Sequence, residues 1–306
     1  DRSPKKQYIV FLKNYTIIDI LYNKIQQMFK IIELPLFNTN AISISRFCIK
    51  WYSLAYIFGI IIAWQLVKFL NKKYNLNLYN DEKQFCDDFF FYGITGIILG
   101  GRLAYVLFYN FIYYIYNPLE IFAIWHGGMS FHGGFLGVLI ANYLLCKKYN
   151  IKFFKLIDVL AVVTPIGLFL GRIANFINLE LYGRPTKGNY GFIFPTADNI
   201  PRHPTQLYEA FFEGIILFLI MLITVKKFKF KWEKLNSSLF LIFYGSFRVF
   251  IEFFREPDIQ IGYFFNYITM GQILSIPLII IGFYLLITSK KQYEILFIQK
   301  VSSQDP

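Results

Sequence analysis

The chain has 306 residues, of which 56% are hydrophobic and 16% charged. A soluble domain normally carries about 25% charge, so this composition excludes one and indicates a membrane protein. The net charge of +12 would suit nucleic acid, but the lysines gather after particular apolar runs and not along one basic stripe, which excludes that partner class.

Residues 1–50 mix short apolar runs (Ile9 to Leu12, Ile17 to Leu21, Met28 to Ile32) with Arg2, Lys5, Lys6, Lys13, Lys24, Lys30, Arg46 and Lys50. Two readings stand for residues 1–45: an amphipathic helix lying on a membrane surface, or an extension outside the ordered fold. The pattern does not resemble a cleavable signal peptide, because no clean apolar core leads to a small-residue site.

A helix needs about 20 apolar residues to cross a bilayer. Seven segments come near that length, at about 52–70, 89–109, 129–146, 156–176, 207–225, 237–254 and 267–288. The runs are long and do not alternate, so strands are not expected. The predicted fold is an all-α polytopic membrane protein of about seven spans, with a membrane domain at 46–290 and a tail at 291–306.

Lys72, Lys73 and Lys83 follow the first span, and Lys147, Lys148, Lys152 and Lys155 the third. Lys226, Lys227, Lys229, Lys231 and Lys234 follow the fifth, and Lys290, Lys291 and Lys300 the last. The other face holds Arg184, Lys187, Arg202 and Arg255. The positive-inside rule then places the C-terminus in the cytoplasm and a loop or head region, 176–206, outside. An odd number of spans puts the N-terminus outside, in conflict with the basic character of residues 1–50. Cys48, Cys86 and Cys146 are too few and too scattered for a disulfide framework or a metal site.

Four stretches concentrate polar groups. In 125–134 (WHGGMSFHGG), Gly127, Gly128, Gly133 and Gly134 allow close backbone approach, and His132 is a candidate base. The structural alternative is a glycine-rich helix start with a hydrogen-bonded histidine. In 171–184 (GRIANFINLELYGR), an apolar run meets Arg172, Asn175, Asn178, Glu180, Tyr182 and Arg184. Arg172 and Asn175 share a helix face, and a guanidinium fork suits phosphate. The alternative is a helix-end salt bridge. In 202–209 (RHPTQLYE), Pro204 stops any preceding helix, and Glu209 with Glu213 begins the fifth span as carboxylates facing the interior. In 244–258 (YGSFRVFIEFFREPD), Arg248 and Glu252 are spaced i, i+4 within an apolar span, as ion pair or as oriented ligand site. Arg172, Arg248 and His132 fall near the same predicted face, which permits one cavity opening toward the outer leaflet.

These four stretches, in this order, resemble the prolipoprotein diacylglyceryl transferases of bacteria. Trp51-Tyr52, Gly101-Arg102-Leu103 and Thr269-Met270-Gly271-Gln272 support the resemblance, which covers about 50–275. It implies an enzyme of the inner membrane that moves the diacylglyceryl group of phosphatidylglycerol to the lipobox cysteine thiol of a prolipoprotein, releasing glycerol 1-phosphate. It further implies catalytic roles for His132, Arg172 and Arg248. Substrate-binding roles are implied for Tyr52, Gly127, Gly128, Gly133, Asn175, Glu180, Gly183, His203, Tyr244 and Glu252. The expected partners are phosphatidylglycerol, lipobox signal peptides and the bilayer, with a lateral opening for lipid. No cofactor and no metal is expected, since no HExxH or acidic metal cluster is present. A transporter would mark a path through the membrane instead of one face, and an intramembrane protease would carry a GxSxG or HExxH signature.

Overall fold

The computed structural model describes residues 31–44, 47–124, 127–186, 188, 190–256, 263–264 and 268–302. The alternatives for the N-terminal segment rest mainly on residues 1–30 and lie outside the described residues. Helices stand at each of the seven expected places: α1 (Trp51–Tyr74), α2 (Glu82–Phe108), α3 (Phe131–Lys148), α4 (Phe153–Ile177), α5 (Thr205–Phe228), α6 (Leu235–Ile251) and α7 (Met270–Ser302). Among the described residues, α1, α2, α4, α5 and α7 are long and apolar enough to cross a membrane, and α6 is a shorter apolar helix. The tail expected from 291 begins as a continuation of α7.

Among the described residues, strands occur as three short pairs outside these helices. β1 (Ile31–Glu33) runs parallel to β4 (Gly191–Ile193), β2 (Asn40–Ile44) pairs antiparallel with β3 (Phe47–Lys50), and β5 (Tyr263–Phe264) with β6 (Ile268–Thr269). Part of the 1–45 extension is therefore tied to the loop after α4, because Ile31–Glu33 pairs with Gly191–Ile193.

The chain divides into two units, and α1, α4, α5, α6 and α7 contribute residues to both. In the unit holding 64–164, 220–240 and 281–306, α2 packs on α3 through glycines. A Cβ on Gly96 would lie 2.6 Å from the Gly137 carbonyl oxygen, and one on Gly100 would lie 2.9 Å from the Gly137 Cα. Without a hydrophobic drive between helices in lipid, such small-residue contact supplies the packing. Phe85, Leu145, Cys146 and Leu156 form a buried cluster beside Trp64, Phe89 and Tyr149. Asp158 on α4 is buried and accepts from the Lys234 amide at 2.7 Å, the Ser237 amide at 2.8 Å and the Ser237 hydroxyl. It thereby satisfies amide donors that the first turn of α6 leaves unpaired.

In the unit holding 1–63, 165–219 and 241–280, glycines again set the spacing. A Cβ on Gly214 of α5 would lie 2.7 Å from the Phe169 Cβ of α4, and one on Gly245 of α6 would lie 3.1 Å from the Ser275 carbonyl oxygen of α7. Within α5, Ala210–Ile216 winds as a π-helix. Such wide turns are rare and frequently mark functional sites.

Candidate active site

The ends of α4 and α6 and the start of α5 meet in the second of these units. Arg172 lies just before the last turn of α4, Glu209 and Glu213 lie at and inside the π-wound stretch of α5, and Arg248 lies in the last turn of α6. Just beyond α6 the chain adds Glu252 and Arg255. Arg172 Nε lies 3.3 Å from Glu209 Oε2, and its Nη2 lies 3.4 Å from Glu213 Oε2. Arg248 directs Nη1 to Glu209 Oε1 and Nη2 to Glu252 Oε1 at 2.5 Å. Arg255 Nη1 lies 3.1 Å from Glu209 Oε1. Glu252 Oε2 accepts from the Thr269 hydroxyl at 2.9 Å.

The two signs differ in exposure. The Glu209 and Glu213 side chains are 0% exposed, while those of Arg172 and Arg248 keep 18% and 15%. The carboxylates are thus sealed from solvent, while the two arginine side chains keep some exposure. Buried carboxylates need such pairing, because an isolated one would cost several kcal/mol in a medium this poor in water. Tyr244 lies one turn before Arg248, within electrostatic reach of Glu213 and Arg248.

Asn175 is one turn beyond Arg172 and anchors a second group. Its Nδ2 donates to the Tyr52 hydroxyl at 3.1 Å and to Glu180 Oε1 at 2.8 Å. Gln206 Nε2 donates to the Glu180 carbonyl oxygen at 2.6 Å. Glu180 thus orders the exit from α4 through amide donors. Gly183 sits where a side chain would collide: its Cβ would lie 2.7 Å from the His203 carbonyl oxygen and 2.7 Å from the Thr205 Cγ2. Its amide donates to the His203 carbonyl oxygen at 2.8 Å.

The loop between α4 and α5 is fastened by Arg202. Its guanidinium meets Asp198 twice, at 2.8 and 2.7 Å, Glu256 at 3.0 Å, and the face of Tyr182. The Arg202 hydrogen bonds hold the Asp198 carboxyl below its ordinary value. His203 packs its ring against Tyr190 and Phe254 and pairs Nδ1 with the Tyr208 hydroxyl at 3.2 Å. Burial pushes its pKa down, so it is neutral near pH 7.

The remaining candidates lie in the other unit. His132 stands in the first turn of α3, and its side chain is outside the described residues. Gly127 and Gly128 adopt φ of 83° and 78°, the left-handed region that favours glycine. Their carbonyl oxygens accept from Arg102 Nη1 at 2.5 and 3.1 Å, while the carbonyls of Ile121, Glu120 and Ala123 accept from the same guanidinium at 2.8, 2.5 and 3.3 Å. Gly133 faces α2, where a Cβ would fall 3.0 Å from the Gly100 carbonyl carbon, so its small size serves helix packing.

Arg172 and Arg248 are brought together, as are Tyr52, Asn175 and Glu180. Arg255 joins this network three residues after Glu252, a spacing visible in the sequence, whereas the acceptors around Arg102 are backbone carbonyls without a side-chain signature. Among the described residues, no group of three or more His, Cys, Asp and Glu is placed to hold a metal ion.

The family model described as prolipoprotein diacylglyceryl transferase matches residues 39–288. The chain belongs to the prolipoprotein diacylglyceryl transferase family. Curated relatives named phosphatidylglycerol–prolipoprotein diacylglyceryl transferase include that of Rickettsia felis, 52% identical over 83% of this chain and 98% of the relative. Those of Rickettsia typhi and Rickettsia canadensis are also 52% identical, over 83% and 81% of this chain and 97% and 95% of theirs. Family membership and the apolar helices together make the chain a multi-pass membrane protein.

Proposed function

We propose that this transferase moves the diacylglyceryl group of phosphatidylglycerol to the thiol of a lipobox cysteine in a prolipoprotein, at the outer face of the cytoplasmic membrane. One observation carries the reading: two arginine side chains, partly exposed, converge on fully buried carboxylates near the ends of apolar helices. A planar fork binds a phosphate through paired donors, and two forks aimed at one place form a clamp.

In this reading a thiolate attacks the glycerol carbon that bears the phosphate ester. The new S–C bond forms as the C–O bond breaks, and glycerol 1-phosphate leaves with the bonding electrons. Charge grows on the departing phosphate, where Arg172 and Arg248 stabilise it in a medium poor in water. The Glu209 carboxylate fixes both guanidiniums, so little reorganisation accompanies that charge development. A free thiol has a pKa near 8.5, and His132 is assigned as the base that removes its proton. Tyr52, Asn175 and Glu180 are assigned to the glycerol hydroxyls of the headgroup, since they present alternating donors and acceptors. Gly183, His203, Tyr244 and Glu252 complete the binding set by holding the loop and Arg248 in place.

The test is transfer in detergent with purified protein, phosphatidylglycerol and a fluorescent lipobox peptide. A mass gain of one diacylglyceryl unit on the Cys peptide, absent from a Ser peptide, is expected. No gain from folded protein with intact lipid would refute the assignment.

A further inference from the structure

The buried network contains three guanidiniums, Arg172, Arg248 and Arg255, and three carboxylates, Glu209, Glu213 and Glu252. With every group ionised its formal charge is zero. A phosphodiester headgroup seated on Arg172 and Arg248 adds one negative charge in a place where uncompensated charge is strongly disfavoured. It also competes for the guanidinium donors that now face the carboxylates.

We propose that headgroup binding takes up one proton, and that Glu213 is the residue that receives it. The inference rests on the clamp reading above. The three carboxylates are not held alike. Glu209 contacts all three guanidiniums. Glu252 holds Arg248 at 2.5 Å, lies 3.8 Å from Arg255 and accepts from Thr269. Glu213 has Arg172 only at 3.4 Å and Arg248 only at 4.0 Å, so its nearest cation is the farthest of the three, and its Oε1, like Glu209 Oε2, is buried without a hydrogen bond. The groups facing it are Arg172 from α4, Arg248 and Tyr244 from α6, and Glu209 from its own helix. An anion drawing the two guanidiniums toward itself weakens the hold on Glu213 first. A buried carboxylate that loses its cations favours the neutral form. Once protonated, Glu213 gains a hydroxyl donor beside the bound phosphate and the network returns to neutrality.

The experiment is calorimetric titration of the full-length protein in neutral detergent with a short-chain phosphatidylglycerol. It is run near pH 7 in buffers of different ionisation enthalpy, then repeated at higher pH. The wild-type protein is expected to take up about one proton per headgroup, with affinity falling about tenfold per pH unit on the alkaline side. Glu213→Gln is expected to bind with no proton uptake and with an affinity flat in pH. Glu213→Asp, which keeps an acid, should retain the uptake. Wild-type binding without proton uptake overturns the coupling, and unchanged uptake in Glu213→Gln overturns the assignment to this residue; both leave the clamp standing. Absence of any binding to folded wild-type protein would instead overturn the clamp, and this inference with it.

Discussion

Arg172→Ala and Arg248→Ala each delete a partly exposed arginine side chain from the network, so both are expected to lower transfer by at least about 100-fold. The check is product formation per folded protein, with chromatographic recovery as control. Arg172→Lys keeps the charge but loses the fork, and should fall between. Glu209 behaves differently, because it is fully buried and touches three guanidiniums. Glu209→Ala leaves the buried network with one uncompensated positive charge, and a loss of about 3–5 kcal/mol is expected, read as a fall in thermal midpoint in detergent. Acid should loosen the loop before α5. The Asp198 carboxyl is held low by Arg202, so its contribution is complete above the ordinary carboxylate range and fades as pH falls through the lowered value. His203 adds in the same direction: burial lowers its pKa, so the unfolded chain binds its proton first as pH drops below about 6.5. Lower amide protection across 191–203 on acidification, after correction for the intrinsic pH dependence of exchange, checks this, and Asp198→Asn should flatten the lower part of the profile.

At the scale of elements, the packing glycines are the sensitive points. Gly100 lies against the backbone of α3, so even Gly100→Ala forces α2 and α3 apart and should cost about 1–3 kcal/mol. The comparison is thermal unfolding beside Gly93→Ala, where nothing stands within 4 Å of the added Cβ. Helix positions were legible in the sequence because long apolar runs have one reading in a bilayer, and α5 begins at Thr205, directly after Pro204 and slightly ahead of the expected start at about 207. The pairing of Arg248 with Glu252 was legible from their spacing. The contacts of Glu209 with Arg172, Arg248 and Arg255 were not, because they join residues 37 to 46 positions apart and depend on how helices pack. The Arg102 cage was hidden for a different reason: its acceptors are backbone carbonyls, which every residue type supplies equally. The short strand pair of β1 and β4 escaped notice because three residues are too few for alternation to show.

For the whole molecule, the distribution of lysines makes orientation testable. Lys226, Lys227, Lys229, Lys231 and Lys234 join α5 to α6, whereas the loop between α4 and α5 carries Arg184 and Arg202. Thiol-labelling of single cysteines in intact cells should mark position 188 from outside and leave position 231 protected; the reverse pattern would invert the topology. The wide turn in α5 has a consequence of its own. A regular helix turns about 100° per residue, so a wider stretch such as Ala210–Ile216 acts as a phase offset between the two halves of one rod. Glu209 stands before this offset and the apolar half, Leu217–Phe228, after it. Removing a single residue while the wide winding persists would swing one half by nearly a quarter turn relative to the other. The Glu209 carboxylate and the apolar face of the same helix would then no longer be presented in register. The tolerance of α5 to a change of length is thus far smaller than its tolerance to a change of residue, at a place where the sequence itself reads only as AFFEGII.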